Sequence, residues 1–504
     1  MKLLKWFKRD KSKTDNDRTN PVITDYELPP YPAKEDMAEN KVYLKETLNY
    51  TEDLIEKPFT IDAHTCSVMF LESLTDEEKM EKNLYSKLNH VHSIEALEDT
   101  LKNMDASKLL HVSEAVPHIL AGKCLLFIDG LDYCYTLNTN KIILRDIGQP
   151  ENEQIIRGAH QGFVESLMVN IYLLRQMVQH PQLTIRFKKV GEKKNTKVCI
   201  VHVEGIADKK VLNEIDRRLS KIDSDKLISS GVIEEYLEDF PYSPFPQFMS
   251  TERPDRCALN LLDGKIVLFV EGEGTALLLP MSFLSFYQSN DDYNSRWYAG
   301  TFFRLLRMFS FVTSVTLPGI YIAIISFHFE IIPYGMTFVI KDAVEEIPYP
   351  PIVEAFFMEL TLELIREAGV RLPSPIGQTI GIVGGLVIGD AVVNAGFVSS
   401  VMIIVVALTA ISSFAVPANE MSMSVRLLRF PIMIMASLLG FLGIVFCLNI
   451  YLIHLCKLTS LGKPYFYPFA PFHFKGILKD VLRFPHTKTT WLNLDNEQNN
   501  NNQK

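Results

Sequence analysis

The sequence predicts an α/β cytosolic N-terminal module of two subdomains, followed by an α-helical transmembrane module of about four spans. The first supporting observation is charge. Charged residues make up 22% of the chain and are dense up to about residue 296, whereas long uncharged runs fill residues 309 to 456. Such runs are long enough to cross a hydrocarbon core of about 30 Å as helices. The second is that strand and helix patterns alternate between about residues 40 and 240, which is typical of α/β domains.

Composition also predicts the domain boundaries. The first 20 residues contain no signal-peptide hydrophobic region, so we expect the soluble module to stay in the cytosol. The predicted segments are a disordered tail and linker (1–39), α/β subdomain 1 (40–180), α/β subdomain 2 (181–241), a connector (242–300), the transmembrane domain (301–457) and a cytosolic C-terminal tail (458–504).

Hydrophobic periodicity predicts the elements of the soluble module. Apolar residues at helical spacing indicate helices, and short alternating runs beside turn residues indicate strands. The predicted helices are Val42–Glu56, Asp76–Met104, Phe163–Val178, Lys209–Ile222 and Ser230–Phe240, and the predicted strands are Cys124–Asp129, Tyr133–Leu137, Leu183–Lys188, Lys197–Val203 and Lys265–Val270.

The predicted spans cover about residues 309–329, 376–397, 398–417 and 430–456. Basic residues flank the first and last spans, so the positive-inside rule places both termini in the cytoplasm. Arg426 and Arg429 disagree with this topology, because they would then lie outside. A re-entrant segment or a missed span would resolve the conflict, and Val353–Ala368 is the candidate.

This candidate segment carries an acidic stripe. Glu359, Glu363 and Glu367 recur at i, i+4 spacing, opposite an apolar face that includes Phe356 and Leu360. One interpretation is a helix in the outer membrane interface with a solvated acidic face. The other is that these carboxylates ring a cation entrance in an oligomer.

The segment 376–397 combines two unlike faces. Its glycines form a stripe on which another helix can pack closely. The opposite face is aliphatic and ends in two polar groups, which suggests protein or water beside it, and aliphatic rings can gate a pore by dewetting. Ordinary bundle packing is the alternative. The candidate packing residues are Gly377, Gly381, Gly385 and Gly389, and the candidate pore-lining residues are Val383, Val387, Asp390 and Asn394.

Other classes of function find little support. The chain has no HExxH, GxSxG or GxxxxGK[ST] motif, so we predict no enzyme, no catalytic residues and no metal or cofactor site. The net charge of −9 and the lack of a basic patch interleaved with aromatics argue against a nucleic-acid partner. The seven cysteines show no CxxC spacing and are predicted to be reduced, buried thiols.

Several long motifs in order resemble the A subunit of spore germinant receptors, the GerA type. They are SPFPQF (with Pro246 and Gln247), TERPD (with Glu252, Arg253, Pro254 and Asp255), EGEG, LLLP, DDYNSRW, FHFE, ELIREAGVRLP, IVGGLVIGDAVVNAG and, nearer the N-terminus, LLFIDG. The resemblance covers about residues 40 to 485. One departure from the family pattern is Ala159-His160-Gln161.

The resemblance implies a non-enzymatic membrane protein of the inner spore membrane. Family A subunits work with a transporter-like B subunit and a lipoprotein C subunit. The resemblance also implies a pentameric oligomer whose membrane parts form a nutrient-gated channel that releases cations. Two alternatives remain open: a secondary transporter, and a scaffold or channel like the A-subunit-like component of the stage V A membrane complex.

Overall fold

A computed structural model describes most of the chain. The described residues are 28–61, 64–88, 94–104, 106–141, 160–191, 196–222, 229–371 and 389–485, with Gly148, Pro150, Glu153, Gly158 and Gly385. Two compact units divide the chain. The first comprises Met1–Ile143 and Arg175–Thr184, and the second comprises Leu144–Leu174 and Ile185–Lys504.

The first unit is built on an antiparallel five-stranded sheet of order β1-β2-β4-β5-β3. One face of the sheet packs on helices, where alternate residues such as Cys66, Val68 and Phe70 meet Leu84 and Leu101 in one buried cluster. The elements of this unit are α1 (Met37–Thr47), β1 (Leu54–Ile61), β2 (His64–Leu71), α2 (Glu77–Met80), a π-helical turn (Glu81–Tyr85), α3 (Ser86–Leu88), α4 (Ile94–Lys102), β3 (Ser107–Leu109), α5 (Val112–Leu120), β4 (Lys123–Ile128) and β5 (Cys134–Asn138).

A fully buried ion pair fixes the start of β1. Arg175 donates to both Asp53 oxygens at 2.7 Å, and the hydroxyls of Thr51 and Ser73 also donate to this carboxylate. Both charged side chains are at most 1% exposed. A buried bidentate pair with added hydrogen bonds satisfies both charges, whereas loss of one partner would leave the other charge buried and uncompensated.

The second unit begins with another five-stranded sheet, of order β6-β7-β9-β10-β8. Residues 249–279, within the segment expected to be a connector, supply three of its strands. One face packs on α7 and α8, with Ile215, Ile233 and Leu268 in its buried cluster. The elements here are α6 (Leu167–Met177) and β6 (Leu183–Val190), of which Arg175–Met177 and Leu183–Thr184 belong to the first unit, followed by β7 (Thr196–Val203), α7 (Lys209–Leu219), α8 (Ser230–Leu237), β8 (Met249–Thr251), α9 (Pro254–Leu262), β9 (Ile266–Val270), β10 (Ala276–Leu279) and α10 (Asn290–Asn294).

The remainder of the second unit is mainly helical. Its elements are α11 (Trp297–Phe327), α12 (Tyr334–Glu345), α13 (Pro351–Arg371), α14 (Ser400–Phe414), α15 (Asn419–Leu439), α16 (Phe441–Lys457), β11 (Thr459–Ser460), β12 (Lys463–Pro464) and α17 (Phe474–Val481). Within the described residues, α11 and α15 are long and apolar enough to cross a membrane, and α14 and α16 are shorter apolar helices.

Glycine divides the segment predicted as one span over 430–456. The helix stops at Gly440, whose φ of +59° and ψ of −138° suit a residue without a side chain. The chain then turns back so tightly that a Cβ on Gly443 would lie 2.0 Å from the Met435 carbonyl oxygen. The single-span prediction is therefore wrong here, because α15 and α16 form a helical hairpin.

Two helix predictions in the first unit are also wrong. The segment predicted as helix 42–56 ends as a helix at Thr47, and β1 begins at Leu54. Asn49 and Tyr50 between them adopt positive φ, which breaks the helix. The predicted helix 76–104 contains several short helices, one of them the π-helical turn.

Candidate functional site

The helical part of the second unit has two recognisable ends. At the far end, His328 after α11 stacks on Phe441 at the start of α16, with ring centroids 5.1 Å apart. At the sheet end, Ser243 before β8 hydrogen-bonds His454 in the last turn of α16, at 2.8 Å. Thus α11 and α15 run from the sheet end to the far end, and α16 runs back.

The direction of α13 and α14 follows from their contacts with these helices. The Tyr321 hydroxyl, near the far end of α11, lies 3.1 Å from Ser399, the N-cap residue of α14. Glu354, in the first turn of α13, accepts a hydrogen bond from the Ser399 backbone at 2.9 Å. Arg366, twelve residues after Glu354 on α13, donates to Ser413, fourteen residues after Ser399 on α14, at 3.3 Å. Both helices therefore run from the far end toward the sheet.

An ion-pair network joins α13 to α15 between these two ends. Arg429 lies 2.7 Å from a Glu359 oxygen and 2.6 Å from a Glu363 oxygen. Glu363 also contacts Arg426 and Arg366, each at 3.2 Å. The Glu359 and Arg429 side chains are 0% and 1% exposed, so the charges neutralise one another away from solvent.

The opposite face of α13 is apolar and exposed. The side chains on it are between 43% and 63% exposed, and they are Val353, Phe356, Phe357, Leu360 and Leu364. Glu359, expected on a solvated acidic face, is instead buried, and its partner Arg429 lies seventy residues away in the sequence. Glu367, the third member of the predicted acidic stripe, is exposed and pairs with Arg371 at 2.5 Å.

The structure describes only part of the predicted pore and packing faces. Gly377, Gly381, Val383 and Val387 lie outside the described residues. Asp390 and Asn394 are described, and both are exposed. A Cβ added at Gly385 or at Gly389 would meet no atom within 4 Å, so none of the described helices packs closely at those two positions.

The first family-motif residues connect the loop before β8 to the segment that follows α16. The Gln247 side chain is fully buried, and its amide accepts from Asp239 and donates to the Phe240 carbonyl. Its backbone carbonyl accepts from Ser460 at 2.9 Å, which ties the chain beyond α16 to the sheet. Pro246, just before it, is half-buried.

The TERPD motif braces the start of α9. Arg253 donates to Asp255 at 2.6 Å and to the Glu153 carbonyl at 3.2 Å. Pro254 occupies the first turn of α9, where its missing N–H costs nothing. The Glu252 carbonyl accepts from the Phe163 backbone at 2.7 Å. These residues act as local structural supports, and within the described part of the chain no group of His, Cys, Asp and Glu could hold a metal ion.

Two carboxyl groups near the sheet end are poised to titrate. Burial, with repulsion from Glu238 and Glu420, raises the pKa of Glu234 to about 8. Burial raises the pKa of Glu238 to about 7, against a hydrogen bond from the Gln247 backbone. Both groups therefore bind protons more tightly in the folded chain than in the unfolded one.

We expect this to make the second unit less stable as pH rises. A folded pKa above the unfolded value of 4.5 gives stability that is lost as pH rises through about 8 for Glu234. Glu234→Gln imitates the protonated form, so its melting temperature at pH 8.5 should exceed that of the wild type by a few degrees. Thermal melts between pH 6 and 8.5 measure this, with the exposed neighbour Glu235→Gln as control. An unchanged pH profile in Glu234→Gln would contradict the assignment.

The sequence marks Arg426 and Arg429 only through their conflict with the predicted topology. A signal was available, because two arginines at i, i+3 and acids at i, i+4 each present one charged helix face. No local pattern in the sequence marks Glu354, whose carboxylate accepts from Ser399.

Known proteins resemble this chain over most of its length. A family model described as Bacillus/Clostridium GerA spore germination protein matches residues 42–492. Spore germination protein A1 of Bacillus subtilis is 37% identical over 455 residues, which is 90% of this chain and 94% of that protein. Spore germination protein GerLA of Bacillus cereus is 38% identical over 83% of this chain and 87% of its own length. The crystal structure of the N-terminal domain of the A subunit of the Bacillus megaterium spore germinant receptor GerK3 aligns with a TM-score of 0.40 and 25% identity, covering 51% of this chain and 99% of that domain.

Proposed function

Because the chain belongs to the GerA family of spore germination proteins, we propose that it is the A subunit of a nutrient germinant receptor in the spore membrane. In this proposal copies of the chain oligomerise as pentamers around an ion channel that releases cations at the start of germination. The chain is not an enzyme. Its partners are a transporter-like B subunit, a lipoprotein C subunit and the membrane lipid.

The observation that carries the channel proposal is the exposure of Asp390 and Asn394. Both belong to the segment 376–397, which carries no charged residue besides Asp390 and is long enough to span a bilayer. An acid exposed to lipid at membrane depth is costly, so such residues face protein or water. Since no other part of the described chain covers them, we place water or a neighbouring copy there.

The proposed topology adds α13 to the four predicted spans and counts the last of them, 430–456, as two crossings, α15 and α16. Its charged face is paired within the protein and its apolar face is exposed, as a lipid-facing helix requires. Counting α11, α13, the 376–397 segment, α14, α15 and α16 as crossings gives an even number, so both termini lie on the cytoplasmic side. This arrangement places Arg426 and Arg429 inside the helical bundle and removes the conflict with the positive-inside rule.

The channel proposal is tested by widening its predicted constriction. Val383→Ala and Val387→Ala each remove apolar bulk from the pore-lining face, so the dewetted barrier should weaken. We expect spores carrying either variant to release potassium without a germinant, at several times the wild-type rate. Val445→Ala is the matched control, because Val445 is 56% exposed on α16, on a helix with no proposed pore contact. Ion retention like that of the wild type in both pore variants would overturn the assignment.

A further inference from the structure

A loop of the sheet domain lies at the level of the end of α16. Ser243 hydrogen-bonds His454, and the Phe245 ring stacks on the His454 imidazole with centroids 6.0 Å apart. His454 is one turn before α16 ends at Lys457. If α16 crosses the membrane as proposed above, this loop touches the boundary between apolar core and headgroups. Tyr242 beside it is 100% exposed, and tyrosine favours that boundary.

A cavity of about 560 Å³ opens next to this loop. Its walls include the cationic side chains at the end of α7, the aromatic rings of Tyr236 and Phe240, and Thr459, which follows α16 by two residues. The two rings are 45% and 42% exposed, so they offer apolar surface at the rim. The cavity therefore combines positive charge and aromatic surface at the expected membrane boundary.

The charges in the cavity are unevenly satisfied. Arg218 is fixed, because it donates to Glu214 at 2.7 Å and to Asp239 at 2.6 Å. Arg217 pairs with the same Glu214 but is 52% exposed. Lys221 is exposed, and it has no acidic partner within the part of the chain that the structure describes. Glu214 and Asp239 thus balance the charges of Arg217 and Arg218, and Lys221 adds a further positive charge at the open side of the cavity.

Glu238 also lines the cavity. Burial raises the pKa of its carboxyl to about 7, so below neutral pH it adds little negative charge. The local field then favours an anion at Lys221 and Arg217.

We propose that this cavity binds the phosphate headgroup of an anionic phospholipid from the membrane leaflet nearest the sheet. Lys221 and Arg217 bind the phosphate, and Tyr236, Phe240 and Tyr242 contact the glycerol and upper acyl chain. Each basic residue near an anionic membrane surface adds attraction, and aromatic side chains anchor at the same depth. A soluble phosphate compound satisfies the charges but leaves the aromatic rim in water, so we assign the site to lipid.

The experiment uses purified full-length protein in a neutral detergent, titrated with fluorescent phosphatidylglycerol. We expect saturable binding that falls about tenfold or more in Arg217→Gln/Lys221→Gln, since two cationic contacts are lost. The matched control is Lys209→Gln/Lys210→Gln, which removes two exposed lysines at the opposite end of α7 and should bind like the wild type. Thermal melts establish that both double variants are folded.

Three further measurements test whether binding requires an anionic headgroup, whether a soluble phosphate compound suffices, and whether the aromatic rim contributes. Fluorescent phosphatidylcholine should bind weakly to all variants, and glycerol phosphate should compete poorly. Tyr242→Ser should weaken lipid binding while leaving the fold intact. Equal binding by the two double variants, or full competition by glycerol phosphate, would overturn the proposal. No ion flux enters these measurements, so failure of the channel proposal and failure of the lipid site are distinguishable.

Discussion

Arg429→Met is expected to prevent the helical module from folding stably. Met keeps an unbranched apolar stem but lacks the guanidinium, so Glu359, which is 0% exposed, is left with no positive partner in direct contact within the described part of the chain. Breaking a buried ion pair by removing one partner costs about 3–5 kcal/mol. That is a large part of the roughly 5–15 kcal/mol by which proteins are stable, so most of the protein should aggregate or be degraded. Monodisperse yield in detergent and melting temperature measure the effect.

A paired variant separates charge from packing. Arg429→Met/Glu359→Leu removes both fully buried charges, and Glu363 keeps its contacts with Arg426 and Arg366. Replacing a buried pair by apolar residues is often neutral or stabilising, so the double variant should recover most of the wild-type yield. Arg371→Met is the control, because Arg371 is 77% exposed in its pair with Glu367. A normal yield in the single variant, or no recovery in the double variant, would contradict the role of the pair.

Helices and strands are predicted correctly from the sequence where the hydrophobic pattern is strongly periodic. The predicted strands at 124–129 and 183–188 and the helix at 209–222 are confirmed as β4, β6 and α7, with ends moved by a few residues. The predicted buried thiols are also confirmed for six of the seven cysteines, all of them free, with Cys456 exposed. These features depend on short-range alternation and local hydrophobicity, which a single sequence displays.

Other features depend on contacts that are distant in the chain. The acidic face of α13 was expected to meet solvent because its partners lie in α15, more than sixty residues later. Hydropathy also predicts α15 and α16 as a single span, because Gly440 differs little in polarity from its apolar neighbours. The backbone conformation of Gly440, which hydropathy does not report, ends the helix. Periodicity therefore predicted the elements, whereas pairing between helices and backbone conformation set the arrangement.

The ion pairs of α13 bear on which acidic residue could select cations in the proposed channel. Glu359 and Glu363 are neutralised by arginines of the same chain, which weakens the hypothesis that they ring a cation entrance. Glu367 is paired too, although it is exposed. Asp390 is exposed within an otherwise uncharged segment, so it is the stronger candidate for a ring of carboxylates in the proposed oligomer.

Asp390→Lys is therefore expected to suppress cation release. In each copy it replaces a negative charge by a positive one, and in an oligomer these charges sum around the axis, where a low-dielectric wall strengthens their field. We expect potassium efflux from receptor-containing liposomes to fall at least about tenfold, measured in the Val387→Ala background so that the pore is open. Asp390→Asn should give an intermediate rate, because it removes the charge without reversing it.

The matched control for this prediction is Glu367→Lys, which makes the same charge change at an exposed acid on α13. If the field at Asp390 controls conduction, Glu367→Lys should leave the efflux near that of the background. Equal loss in both lysine variants would indicate a general effect of net charge, and unchanged efflux in Asp390→Lys would exclude the residue from the conduction path. The order Asp, Asn, Lys at position 390 is the signature of an electrostatic role, since a purely steric role would not separate Asn from Asp, which have nearly the same size.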